Sequence, residues 1–307
     1  MNMKSDLIDR IVKVLSEAGF QFVDCRGARS SFDVLAKLKD TVLLVKVLGN
    51  IEALNQTSVD ELRAVSSMLG AVPIIVGERM KNTLLQDGVV YDRYGSCVLN
   101  ASTFDQLVHN VLPKVYSTRG NYCVHVNSAM LSELRRKAGL TQEELADRIG
   151  VSKQSLYRYE NSGRMSLDVF ENIMDFFEDS GLVMPTFEMR VEQSRPKVVE
   201  DADFHMNRLK AKVIREFRGM GFRTSLAKAP FDVIATEEER VLTVVSNDWR
   251  RLKHKIDILD GISEIVGGYR VCVSERRVKR SRGVLTLTDL KEIKTARELF
   301  GVLSDEK

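Results

Sequence analysis

Charged and apolar positions alternate at helical spacing through MNMKSDLIDRIVKVLSEAGF, and the pattern stops at Gly19-Phe20. It predicts an amphipathic helix. Phe32-Asp33-Val34 then opens a stretch with a period of two. It runs through a polar KLKD turn into the Val- and Leu-rich TVLLVKVLGN, which predicts a β-hairpin. A helical stretch (VDELRAVSSMLG), a short strand (VPIIVGER) and a closing strand and helix near SCVLNASTFDQLV follow. The same succession returns in the last third of the chain. LKAKVIREFRGMGF ends on Gly221-Phe222, and Phe231-Asp232-Val233 opens a second hairpin around TEEER. KIDILDGISEIVG, YRVCVSERR and GVLTLTDLKEIKTARELF then supply a helix, a strand, and a closing strand with its helix. This agreement in order and spacing predicts an internal duplication of an α-β-β-α-β unit.

Between the two units the period changes. In SAMLSELRRKAGLTQEELADRIGVSKQSLYRYENSGRMSLDVFENIMDFF the apolar residues recur at helical spacing in four short runs. A first helix starts near Ser128, places Leu131 and Leu134 inside and ends at Gly139. Thr141 with Glu144 three residues on predicts a capping box for the second, whose Leu145, Ala146 and Ile149 point inward. Ala146 is small, as a steep helix crossing requires, and Gly150 permits the sharp turn that follows. Ser152 caps a third helix, 152–161, that buries Leu156 and Tyr159. Ser166 is expected to cap a fourth, with Leu167, Phe170, Ile173, Met174 and Phe177 inside. The outward side of the third helix carries Lys153, Gln154, Ser155 and Arg158, whose amide, hydroxyl and cationic groups suit base edges and phosphates, and no acid is expected on that face.

These patterns divide the chain into an α/β unit at 1–112, a linker at 113–126, a helical module at 127–184, a linker at 185–204 and a second α/β unit at 205–307. Charge is uneven among them. The whole chain is +3, yet residues 127–185 alone sum to −3, because acids crowd the second and fourth helices. The reading face is basic and polar all the same, so the module's net charge does not decide its partner. Cys25, Cys97, Cys123 and Cys272 are scattered without a metal-ligand spacing, and the four histidines (His109, His125, His205, His254) are isolated. No metal site, no cofactor and a reducing, cytoplasmic setting are therefore expected. No apolar run is long enough to cross a membrane, and the first helix is too charged for a secretory leader.

The stretch LRRKAGLTQEELADRIGVSKQSLYRYENSG resembles the XRE family, the helix-turn-helix repressors of phage Cro and lambda-repressor type. The resemblance implies that helix 152–161 lies in the major groove of double-stranded DNA. Gln142 would then bind a phosphate and brace the third helix, and Ser152, Lys153, Gln154, Ser155 and Arg158 would face the DNA. Tyr157 is left open between a phosphate contact and an exposed aromatic. Arg135 and Glu160 match a structural ion pair of that family. The whole arrangement resembles archaeal XRE-type transcriptional regulators in which the module sits within or between α/β domains. A homodimer on a palindromic operator follows from that resemblance, and the small-molecule effector stays unassigned.

Each outer unit resembles the restriction-endonuclease-like fold with its PD-(D/E)-x-K signature. The implied fold class is thus an all-α lambda-repressor-like domain between two duplicated α/β units. The chemistry of that fold needs two acids for Mg²⁺ and a lysine near the attacking water. Asp33 and Asp232 match the first acid, but Lys46 and Leu48 stand where the second acid and lysine belong, and Val244 and Ser246 do so in the second unit. Neither unit is expected to be catalytic, and either aspartate could instead be a strand-end residue that bonds nearby backbone. Two basic runs remain. Trp249 to Lys255 is one. Arg276, Arg277, Lys279, Arg280 and Arg282 form the other, either a solvated loop or a contact to flanking DNA phosphates. The competing functions are a nuclease targeted by the helix-turn-helix, and a nucleoid or interaction protein.

Overall fold

The computed structural model describes residues 3–27, 30–177, 180–185, 207–276 and 283–304. They belong to two compact units, one made of Met1–Val47, Asn55–Ile74 and Arg195–Lys307, the other of Leu48–Leu54 and Ile75–Ser194.

The first unit begins with the predicted amphipathic helix, α1 (Met3–Glu17), which buries Leu7, Ile8, Ile11, Val14 and Leu15. Its chain reverses at Gly19, whose φ of 79° lies in the left-handed region. A strand that the periodicity did not predict comes next, β1 (Gln21–Asp24). It pairs antiparallel with β2 (Val34–Leu38), which pairs antiparallel with β3 (Thr41–Asn50). Helix α2 (Gln56–Leu69) is capped by Asn55 and closed by Gly70 in the left-handed conformation. It leads into β4 (Val72–Met80).

The second unit holds most of β4, with β5 (Thr83–Leu84), β6 (Val89–Arg93), β7 (Ser96–Leu99) and α3 (Ala101–Val108). Residues 113–126, expected as a linker, instead form a hairpin of β8 (Val115–Thr118) and β9 (Asn121–Val126). The sheet runs β4-β7-β6-β8-β9. From the end of β9 the chain enters α4 (Ser128–Lys137), α5 (Gln142–Arg148) and α6 (Lys153–Ser162). It returns to β9 twice more, as β10 (Arg164–Ser166) before α7 (Leu167–Phe177) and as β11 (Val183–Met184) after it. The helical module, expected to be all-α, is not, because two segments within it, β10 and β11, are strands paired with β9. Its core joins both kinds of element: Val124, Val126 and Met165 pack with Leu131, Leu145, Ala146, Ile149, Leu156 and Ile173.

The rest of the first unit is α8 (Arg208–Gly219), β12 (Arg223–Leu226), β13 (Val233–Thr236), β14 (Arg240–Val245), α9 (Trp249–Val266), β15 (Tyr269–Ser274), β16 (Val284–Thr286), α10 (Leu287–Glu292) and α11 (Ala296–Ser304). The sheet order is β12-β13-β14-β15-β16, antiparallel at the first two pairings and parallel at the last two. Both α/β parts thus read α-β-β-β-α-β, one strand more than the predicted unit. That strand is short and half-exposed in each, too brief to show a period.

These two α/β parts pack on each other within the first unit. Ser31 N donates to Lys228 O at 2.5 Å, Lys37 Nζ to Ile265 O at 2.9 Å, and Lys228 Nζ lies 3.3 Å from the buried Glu61. Gly261 of α9 approaches Val23 of β1 so closely that a Cβ there would meet Val23 Cγ2 at 2.8 Å. Of the expected 185–204 linker, only Pro185 falls within the described residues.

The weld between α6 and β9 rests on Gly163, which closes α6 at a φ of 67° and whose carbonyl accepts from Val126 N at 2.8 Å. A Cβ at Gly163 would fall inside contact distance of the Val126 carbonyl oxygen, a backbone atom that has nowhere to move. Gly163→Ala should therefore lower stability by ~1–3 kcal/mol, read as a lower urea midpoint, whereas Gly150→Ala, with nothing near its Cβ, should carry only the φ penalty.

Candidate nucleic-acid interface

The exposed polar face lies on the first turn and a half of α6. Ser152 accepts from Ser155 N and caps the helix, while Leu156 is wholly buried beneath it. Lys153, Gln154 and Arg158 are exposed, as predicted, and Tyr157 stands clear of the surface at 57% exposure. Ser155 is half-buried. Its hydroxyl lies 3.0 Å from that of Ser152 and accepts from Arg158 Nη2 at 3.1 Å, so it holds the Arg158 guanidinium in place. The face was expected to be free of acid. None comes from α6 itself, but Glu143 of α5 reaches Lys153 Nζ at 3.2 Å. The capping box between Thr141 and Glu144 forms as predicted, and α5 and α6 meet across the left-handed Gly150.

Glu160 fixes α6 to its neighbours. Its Oε1 accepts from Arg135 Nε at 2.6 Å, and its Oε2 accepts from Arg135 Nη2 at 3.2 Å and from Gln142 Nε2 at 2.7 Å. Arg135 also donates to Leu140 O at 2.9 Å. One carboxylate therefore joins α4, α5 and α6, with the guanidinium engaged as a fork. Burial pushes the Glu160 carboxyl up, but the bonds from Arg135 and Gln142 outweigh it and hold the group below its ordinary value. Gln142 keeps a second amide proton for a further acceptor. Behind α6, Arg164 follows Gly163 directly, and its guanidinium lies 5.7 Å from the centre of the Tyr116 ring, which also stacks on His125. Neither Arg164 nor Tyr116 carries a signal in the sequence, because their contact depends on β10 joining the sheet.

The two FDV aspartates occupy alike environments. Asp33 is buried, and its Oδ2 accepts from Val47 N at 2.8 Å, while Lys4 Nζ lies 2.7 Å from Oδ1 and Lys46 Nζ 3.5 Å from Oδ2. Asp232 accepts from Val245 N at 2.9 Å, with Lys210 at 2.8 Å and Arg251 at 3.6 Å. Each carboxylate thus ties the start of one strand to the end of the next and is matched by cations. Burial pushes the Lys46 amine below its usual range, with Asp33 opposing. Among the described residues no group of three His, Cys, Asp or Glu side chains converges as a metal site, and the four cysteines are buried and unbridged.

The basic runs divide differently. Trp249 to Lys255 forms the first turns of α9, with Arg251 and the buried Lys255 turned to Asp232. Of the second run, Arg276 is described and exposed, and Arg277, Lys279, Arg280 and Arg282 lie outside the described residues. No helix among the described residues is long and apolar enough to cross a membrane.

Residues 4–113 match the PD-(D/E)XK superfamily domain, and residues 131–178 match the Helix-turn-helix family. The chain is 30% identical to a protein of Methanococcus vannielii, over 93% of this chain and 92% of that one. It is 30% identical to one of Methanocaldococcus jannaschii and 32% identical to one of Thermococcus kodakarensis, each over 98% of this chain and 96% of the relative. All three are provisionally named HTH-type transcriptional regulatory proteins. No solved structure matches the chain.

Arg135→Ala leaves Glu160 with Gln142 but without its guanidinium partner and should cost ~1.5–3 kcal/mol, seen as a lower midpoint in urea. Because the folded Glu160 carboxyl is depressed, its contribution is full above the unfolded value of about 4.3 and fades as pH falls through the folded value. Glu160→Gln should flatten the acid limb of the stability profile below about pH 5, and a profile parallel to that of the native chain would remove Glu160 from the account.

Proposed function

The chain belongs to the archaeal family of HTH-type transcriptional regulatory proteins, and on that premise we propose that it is a sequence-specific DNA-binding regulator. Helix α6 enters the major groove and reads base edges with Gln154. The observation that carries this reading is the exposed face of Lys153, Gln154 and Arg158 on a helix held from behind by Glu160. Arg158 and Lys153 contact phosphates, Lys153 exchanging Glu143 for the backbone. Gln142 gives its remaining amide proton to a phosphate, and Ser152 and Ser155 set the start of the helix. Tyr157 lies beside the backbone. A homodimer would read a palindromic operator, its two α6 helices about 34 Å apart.

The two α/β parts are duplicates of one unit and act without catalysis. Their support lies in the shared element order and in the matched aspartates, each hydrogen-bonded to a strand N–H and countered by lysine. A carboxylate so occupied, with Lys46 or Val244 where the second acid is required, offers no second ligand for Mg²⁺. The match of residues 4–113 to the PD-(D/E)XK superfamily keeps a nuclease as the second reading.

Two experiments decide. In fluorescence anisotropy on DNA recovered by selection from random duplexes, Gln154→Ala should lose ~1–3 kcal/mol of discrimination between cognate and mismatched sites. Arg158→Ala should weaken all sites alike and reduce the salt slope by about 1; unchanged affinity in both variants rejects the α6 reading. A plasmid incubated with the chain and Mg²⁺ or Mn²⁺ should stay supercoiled, and nicking abolished by Asp33→Ala would establish the nuclease.

A further inference from the structure

A pocket of about 460 Å³ opens at the carboxyl ends of the parallel strands β14 and β15. Its size lies within the range of small-ligand sites. The N-termini of α8, capped by Asn207, and α9, capped by Asp248, both border it. Arg208, Lys212 and Arg251 line it, with Leu209 and Val245 as apolar wall.

The charge around this pocket is unbalanced. Asp232, 4% exposed, is bonded to the N–H of the wall residue Val245 and to Lys210. Arg251 stands 3.6 Å away, and the buried Lys255 is drawn to the same carboxylate. Burial holds the Lys255 amine below its usual range, and repulsion from Arg251 and Lys210 adds to the effect. At the rim, Glu275 accepts from Lys212 at 2.8 Å and from Asn247 at 3.3 Å and also feels Arg208. Asp248 spends its carboxylate on the Arg250 N–H at 2.9 Å. Of the residues that line the pocket, Arg208, Lys212 and Arg251 face Asp248 and Glu275, an excess of one positive charge in a concavity where the field is focused. A phosphate monoester carries about −1.5 to −2 at neutral pH and is favoured at helix N-termini.

We propose that this pocket binds a small phosphorylated ligand of about mononucleotide size, its phosphate held by Arg251 and Arg208 at the mouths of α8 and α9. This goes beyond the DNA-reading role of α6 and does not depend on it. The pocket is the place where a metabolite would bind to a regulator whose effector is otherwise unassigned.

The test is isothermal titration calorimetry on the full chain without DNA, using adenosine 5′-monophosphate, inorganic phosphate and the neutral nucleoside adenosine. Binding of the monophosphate or of inorganic phosphate, with none of adenosine, is expected. Arg251→Ala and Arg208→Ala should each weaken it at least tenfold, while Arg250→Ala, exposed and outside the pocket, leaves it unchanged. Gln154→Ala should also leave it unchanged, which separates this result from the fate of the DNA-reading role. Absence of heat with both phosphate probes, or binding indifferent to Arg251→Ala and Arg208→Ala, overturns the proposal. So does binding at these residues by duplex DNA alone, which would make the pocket a backbone contact.

Discussion

A carboxylate taken out of water has to be met by cations and N–H donors, and three buried carboxylates organise this chain on that rule. Glu160 gathers Arg135 and Gln142 and so binds α4, α5 and α6 into one body. Asp33 gathers Lys4, Lys46 and the Val47 N–H, locking α1 to the hairpin of β2 and β3. Asp232 gathers Lys210, Arg251 and the Val245 N–H, locking α8 and α9 to β13 and β14. The same device serves different ends. Around Glu160 the charges close on each other, and the exposed face of α6 is left to present groups outward. Around Asp232 cations outnumber acids, and the surplus borders an open pocket.

The helix-turn-helix also depends on a backbone constraint. Strand β9 pairs with β8, β10 and β11, and it feeds α4 at one end. The loop between α6 and α7, which in a free helical module would be a mobile connection, is here a strand with its hydrogen bonds made. The orientation of α6 is thereby coupled to the sheet through three residues, Gly163, Arg164 and Met165, of which Met165 is buried in the shared core.

The two α/β parts satisfy each other within a single chain. Lys37 on Ile265 O, Lys228 on Glu61 and the close approach of Gly261 to Val23 all join the first part to the second. Contact between these parts therefore needs no second copy of the chain, and a homodimer would have to use other surface.

Much of the helical module was legible in the sequence because its signals are local. A capping box needs residues three apart, a left-handed turn needs a glycine, and an inward face follows from a period of 3.6; Thr141 with Glu144, Gly150 and Leu156 all stand where those rules put them. The paired FDV aspartates were legible too, since each opens a strand. What the sequence could not determine were relations between segments far apart in it. The 113–126 hairpin and the strand at Arg164–Ser166 are too short to show a period and exist because β9 offers them an edge. The cations around Asp232 come from positions 210, 251 and 255, on two helices separated by three strands, so no spacing rule collects them. Local chemistry, read from the sequence by itself, determined which residues start, stop and cap the elements; only the tertiary structure decided which charges share a buried carboxylate and which are left over, because that balance is set by distance in space.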